Sequence, residues 1–214
     1  MSLYQQLQER ELNQKPIRIG LIGAGKFGAM YLAQIPRTPG VHLVAIADLS
    51  PEAARTNLRR VGWDIARTQA NSIEAAIQEG TCFITDDWTK LVNSDQIDVI
   101  VECTGNPIAA VEHCLKAFAQ GKHVVNVTVE ADAFCGPLLA KKAKEANVIY
   151  SLAFGEGSAL LGGLAKAWMR GVELVAVDVA VGDHHQQHQP VQRDGELRIA
   201  IGGAKRVHET ILTQ

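Results

Sequence analysis

Gly23-Ala24-Gly25-Lys26-Phe27-Gly28 places three glycines at the spacing that lets a backbone turn close around a pyrophosphate. Gly23 permits the tight turn. Gly25 lets the main chain approach phosphate oxygens, and Gly28 lets the next helix pack closely on the strand before it. The N–H groups around Lys26 and Phe27, at the positive end of that helix, complete an anion site. Asp48 ends the following apolar run, twenty residues past Gly28. An acid there can accept both ribose hydroxyls of an adenosine, which favours NAD. Arg55 and Arg59 lie just downstream on a helix and would instead meet a 2′-phosphate, which favours NADP. Their plainer role is a solvated helix face. The competing reading of the glycines, a turn of purely structural use, requires the flanking strand–helix–strand pattern to be a coincidence.

A second group of candidates lies further along. Cys103-Thr104-Gly105-Asn106 closes a β-branched run, and a loop there would lie beside the nicotinamide ribose. Asn106 or Thr104 followed by Pro107 also reads as an ordinary helix cap, and the two roles are compatible. Glu130 and Asp132 follow the next strand. Glu130 could act as a base on a substrate hydroxyl, or share a divalent metal with Asp132. Asp132 is equally suited to capping a helix over Ala133–Ala146. Glu156 falls at the end of another strand and is a candidate substrate or metal ligand. Lys122 and His123 precede a strand, at the wrong end for catalysis, and read as structural. Asp183-His184-His185-Gln186-Gln187-His188 has the residue types of a metal site, but its Gln-rich setting, bounded by Gly and Pro, reads as a solvated loop.

The elements that must position these residues alternate strand and helix. Strands are expected at Ile17–Ile22, Val41–Ala47, Phe83–Thr85, Ile97–Cys103, His123–Thr128 and Val148–Ala153. Helices are expected at Lys26–Ile35, after Ser50-Pro51, at Ile73–Gln78, at Ile108–Ala119 with Gly121 as C-cap, and at Ala133–Ala146. Leu3, Tyr4, Leu7 and Leu12 suggest a short lead-in helix. This order predicts an α/β fold with a doubly wound parallel sheet, whose ligands sit at the carboxyl ends of the strands. The expected organisation is a lead-in helix over residues 1–15, a dinucleotide-binding Rossmann domain over 16–156, and an atypical extension over 157–214. In that extension Ala159–Met169 reads as an interrupted helix. Val172–Val181 reads as an edge strand or a homo-oligomer surface.

Composition narrows the function classes. The 214 residues are 47% hydrophobic, which suits a globular core, and the net charge of −2 gives no electrostatic reason to expect nucleic acid or an anionic membrane as partner. No apolar run approaches the ~20 residues of a membrane span. Met1 to Lys15 is polar, without the apolar core of a secretory signal. The four cysteines show no CxxC spacing and read as reduced thiols. A soluble cytoplasmic protein is expected, with a dinucleotide and a small-molecule substrate as its partners.

The stretch Ile17–Ala153 resembles the nucleotide-binding domain of homoserine-dehydrogenase-like oxidoreductases. The likeness is carried by Gly23–Gly28, by Val99-Ile100-Val101-Glu102-Cys103-Thr104-Gly105-Asn106-Pro107 and by Gly121-Lys122-His123-Val124-Val125. The most specific string is Val129-Glu130-Ala131-Asp132-Ala133-Phe134-Cys135-Gly136-Pro137, and Tyr150–Gly155 adds to it. The particular branch includes proteins that act as a second type of 1-deoxy-D-xylulose 5-phosphate reductoisomerase. The resemblance implies hydride transfer between a nicotinamide cofactor, NADP more than NAD, and a small hydroxy or carbonyl substrate. Homoserine dehydrogenases proper carry a lysine in the region of Glu130, where it would bind a substrate oxygen. A glutamate there tilts the reading away from homoserine itself. The chain also departs from the family after Gly155: Glu156-Gly157-Ser158 stands where an Asp-Gln-Pro type of sequence is expected, and the chain reads as lacking most of the substrate domain. That leaves a non-catalytic dinucleotide-binding module as the alternative.

Overall fold

The structure is a computed structural model that describes residues 2–153. Its strands are β1 (Ile17–Ile22), β2 (Val41–Ala47), β3 (Phe83–Thr85), β4 (Val99–Glu102), β5 (His123–Asn126) and β6 (Tyr150–Leu152). All pair in parallel in the order β3-β2-β1-β4-β5-β6. The chain therefore winds outward from β1 in one direction and from β4 in the other. The reversal falls between β1 and β4, where such sheets open a crevice at their carboxyl ends.

The strands are apolar on both faces because helices cover both. On one face Ile19, Leu21, Val99 and Val101 meet Leu7 of α1 (Leu3–Leu12), Tyr31 and Leu32 of α2 (Lys26–Gln34), and Leu58 of α3 (Pro51–Arg60). On the other, Ile22, Val44, Ile100 and Val124 meet α4 (Ile73–Glu79), α5 (Trp88–Asn93), α6 (Pro107–Ala119) and α7 (Val129–Glu145). Fully buried leucines such as Leu21, Leu32 and Leu139 each contribute about 2–3 kcal/mol.

The helix starts follow local chemistry. The Ser50 hydroxyl accepts the Ala53 N–H with Pro51 in the first turn, and the Asn106 side chain accepts the N–H groups of Ile108 and Ala109 with Pro107 at the start. The lead-in helix α1 is anchored by two side chains: Leu7 is buried, and the Glu11 carboxylate accepts the Gly40 N–H at 2.7 Å, while Tyr4 and Leu12 are exposed. It also rests on Gly40, whose absent Cβ would strike the Leu7 carbonyl.

Several boundaries differ from the sequence expectation, and three of them bear on the site. β4 ends at Glu102 and β5 at Asn126, because the residues beyond them turn away to build loops. The last helix begins at Val129 rather than Ala133, so Asp132 lies inside its first turn and does not cap it. α7 is kinked at Cys135 (φ −143°, ψ 21°), two residues before Pro137, whose ring cannot join a regular helical ladder. Glu156, Ala159–Met169, Val172–Val181 and the His184/His188 run lie outside the described residues. No helix among the described residues is long and apolar enough to cross a membrane.

Candidate functional site

The glycine turn leaves β1 at the head of the crevice. Gly23 has φ +92°, and a Cβ there would come within 2.8 Å of the Cys103 carbonyl and 2.9 Å of the Thr104 Cα. A Cβ on Gly28 would lie 2.5 Å from the Gly23 carbonyl oxygen, so this glycine lets the helix start close against the turn. Gly25 differs from both: a Cβ there would meet nothing within 4 Å. It faces open space at the start of α2, where no side chain caps the helix. The first-turn N–H groups, those of Lys26 and Phe27 among them, have no intrahelical acceptor and point out of the helix end. An unfilled gap, uncapped N–H groups and the positive end of a nine-residue helix form a cradle suited to an anion.

Side chains just past β2 and on α3 hold this turn. Asp48 accepts the Ala24 N–H at 2.8 Å through Oδ2 and the Ser50 N–H at 2.9 Å through Oδ1. Both carboxylate oxygens are thus aimed by the backbone, and each keeps a lone pair for a further donor. From the other side the Asn57 amide donates to the Ala24 carbonyl at 2.8 Å. Asn57 has one signal in the sequence, its place two turns into the helix after Asp48. Arg55 and Arg59 sit about 200° around α3 from Asn57. Arg55 pairs with Glu52 at 3.2 Å, and the Arg59 Nε donates to the Arg55 carbonyl at 3.4 Å.

Across the switch point, the loop after β4 is built on a buried carboxylate. Glu102 has no exposed surface. Its Oε1 accepts the Thr104 N–H at 3.2 Å, the Thr104 hydroxyl at 2.5 Å and the His113 Nδ1 at 3.3 Å, and its Oε2 accepts the Thr128 hydroxyl at 2.5 Å. His113 is itself buried on α6 and packs its ring 4.5 Å from that of Trp88. Gly105, at φ +67°, donates its N–H to Thr128 Oγ1 at 3.0 Å. Cys103 is buried under the turn; burial first, and then the neighbouring Glu102, holds its thiol well above the ordinary range. Cys103 therefore contributes packing and main chain, not a reactive sulfur.

A second polar cluster follows at β5 and β6. The fully buried Asn126 donates to the Thr128 carbonyl and the Tyr150 hydroxyl, and accepts the Thr128 N–H at 3.1 Å. The Tyr150 hydroxyl donates to Asp132 at 2.9 Å. Burial, followed by the bond to Asp132 and its charge, raises the Tyr150 pKa, so the hydroxyl stays a donor. Gly136 makes room for this arrangement, since a Cβ there would fall 2.5 Å from Asp132 Oδ1.

Glu130 is exposed at the start of α7. It and Asp132 are two residues apart on one helix and so point in different directions. The pair expected to share a metal is not brought together. No group of three or more His, Cys, Asp or Glu among the described residues is arranged to hold a metal ion. Nothing in the sequence gives Glu102, His113, Asn126 or Tyr150 a role in the site. The one available signal was a glutamate inside a β-branched run.

Residues 23–152 match the family described as homoserine dehydrogenase, NAD binding domain. The chain belongs to that family. Among curated homoserine dehydrogenases, that of Pseudomonas aeruginosa is 30% identical over 135 residues, covering 63% of this chain and 28% of the relative. That of Methylobacillus glycogenes is 34% identical over 137 residues, covering 60% of this chain and 30% of the relative. The chain thus spans less than a third of the length of these homoserine dehydrogenases. Among solved structures, a homoserine dehydrogenase from Thiobacillus denitrificans shares the fold at a TM-score of 0.50 and 24% identity, over 65% of this chain and 30% of that one.

Proposed function

We propose that residues 16–156 bind a nicotinamide dinucleotide across the β1/β4 switch point and present it for hydride transfer to a small hydroxy or carbonyl substrate. The observation that carries this is the open face of Gly25 above an uncapped helix start, with Gly23 and Gly28 both sterically required to be glycine. In this reading the turn and the N–H groups of Lys26 and Phe27 hold the pyrophosphate. Asp48, already aimed by two backbone donors, accepts the adenosine ribose hydroxyls with its remaining lone pairs. Thr104, Gly105 and Asn106 face the nicotinamide half. The cofactor supplies the hydride chemistry, and the chain binds, orients and shields it.

Asp48 favours NAD over NADP, because a carboxylate at the ribose would repel a 2′-phosphate. Arg55, paired with Glu52 on the far side of α3 from Asn57, does not offset that repulsion. Glu130, exposed at the carboxyl end of the sheet, is the available base for a substrate hydroxyl. Its carboxylate, standing where homoserine dehydrogenases proper carry a lysine, supports a substrate other than homoserine. A phosphorylated deoxy-sugar is the alternative. The four free cysteines, three buried and one half-buried, support a reducing, cytoplasmic setting.

Calorimetric titration with NADH and NADPH tests the cofactor reading. NADH should bind more tightly, and no heat with either would remove the proposal. Gly25→Ala should weaken NADH by about tenfold while leaving the melting temperature nearly unchanged, since the new methyl enters the cradle and meets no protein atom within 4 Å. A panel of hydroxy acids, aldehydes and sugar phosphates, followed at the NADH absorbance, tests turnover. Binding without turnover of any of them would favour a dinucleotide-binding module.

A further inference from the structure

The Thr104–Asn106 turn is held by two hydroxyls that share one controller. Each threonine hydroxyl has a single hydrogen, and both give it to Glu102: Thr104 to Oε1 and Thr128 to Oε2. Each hydroxyl oxygen is thereby left with its lone pairs facing the loop. Thr128 takes the Gly105 N–H at 3.0 Å, and Thr104 takes the Asn106 N–H at 3.2 Å. Two successive loop amides are therefore oriented through two hydroxyls by one buried carboxylate. A carboxylate suits this task because it has only acceptors. A glutamine would turn an NH₂ group toward one of the hydroxyls and reverse that bond. His113 adds a third side-chain donor from α6 and fixes the carboxylate from behind.

Neither threonine nor Glu102 touches the glycine turn's own ties, which run through Asp48 and Asn57. The sheet therefore has two separately held arms. We propose that Glu102 is a positioning residue for the nicotinamide half of the site: through Thr104 and Thr128 it sets the Thr104–Asn106 turn, and it leaves the adenosine half untouched. This inference rests on the dinucleotide reading above.

Titrating the full chain with NADH and, separately, with ADP, which lacks both the nicotinamide and its ribose, tests it. Thr128→Val removes one hydroxyl at nearly constant size and should weaken NADH about tenfold while changing ADP by less than about twofold. Thr128→Ser restores the hydroxyl and should restore NADH affinity. Glu102→Gln should follow Thr128→Val. Should Glu102→Gln fail to fold, Thr128→Val and Thr104→Val decide between them. Equal losses for both ligands, or no loss for either, would overturn the positioning role and leave the dinucleotide reading standing. A wild-type chain that binds neither ligand would overturn both.

Discussion

The two arms of the crevice are made in opposite ways. The β1–β2 arm is shaped by what is missing: three glycines, a bare helix start and close main-chain contacts. The β4–β5–β6 arm is shaped by buried polar side chains, with Glu102, Asn126 and Thr128 all inside. The first arm tolerates almost no added atom near Gly23 and Gly28, yet leaves Gly25 open. The second arm tolerates no lost hydrogen bond, because each member satisfies another in a place water does not reach. Steric exclusion protects one arm and polar satisfaction the other.

That contrast can be broken from either side. The largest effect is expected at Gly23→Ala. Its methyl would strike the main chain of Cys103 and Thr104 at a φ of +92°, so the loss should be about 3 kcal/mol or more in urea unfolding. A loss under 1 kcal/mol would show that the arms separate easily. Asn126→Ala is the matching test on the polar arm. It strands the Thr128 N–H and carbonyl in a buried place and should cost about 2 kcal/mol. Asn57→Ala removes one partly buried bond to the Ala24 carbonyl, for about 1 kcal/mol and a several-fold loss of NADH affinity.

The smallest effect concerns pH. Burial lowers the His123 pKa below its ordinary 6.5, against an upward pull from Asp98. Its Nδ1 accepts the Ile149 N–H, and that bond needs the unprotonated nitrogen. The unfolded chain therefore takes up more protons than the folded one, so stability rises with pH. The contribution is complete above pH 6.5 and is lost as pH falls through that value toward the lower folded pKa. His123→Asn should flatten part of the acid-side slope in melts between pH 7 and 5; an unchanged slope would remove His123 from it. His42, also lowered chiefly by burial, supplies a parallel share.

The same division decided what could be read in advance. The glycine arm is local: Gly23, Gly25, Gly28 and Asp48 lie within one strand–helix–strand unit, and their spacing states their roles. The fold followed from the same alternation. The polar arm is not local, since Glu102 meets Thr128 across 26 residues and Asn126 meets Tyr150 across 24. Nothing in the spacing of those residues marks the pairs. Glu102 was hidden inside an apolar run, where a glutamate reads as an interruption, not a centre. Asp132 misled for a related reason. An aspartate at the start of an expected helix looks like its cap, but α7 starts a turn earlier and leaves it free for a tyrosine 18 residues on.

Gly23 carries a practical consequence for redesign. The spacing between the two arms is a main-chain dimension, fixed where its Cα meets the backbone of Cys103 and Thr104. Exchanging side chains cannot widen or narrow it. A library meant to retarget this scaffold to a bulkier or slimmer ligand would gain nothing at position 23. Its diversity belongs on the side chains proposed to face the ligand, Asp48, Thr104, Asn106 and Glu130 among them. The jaw width itself would change only by lengthening or shortening a loop.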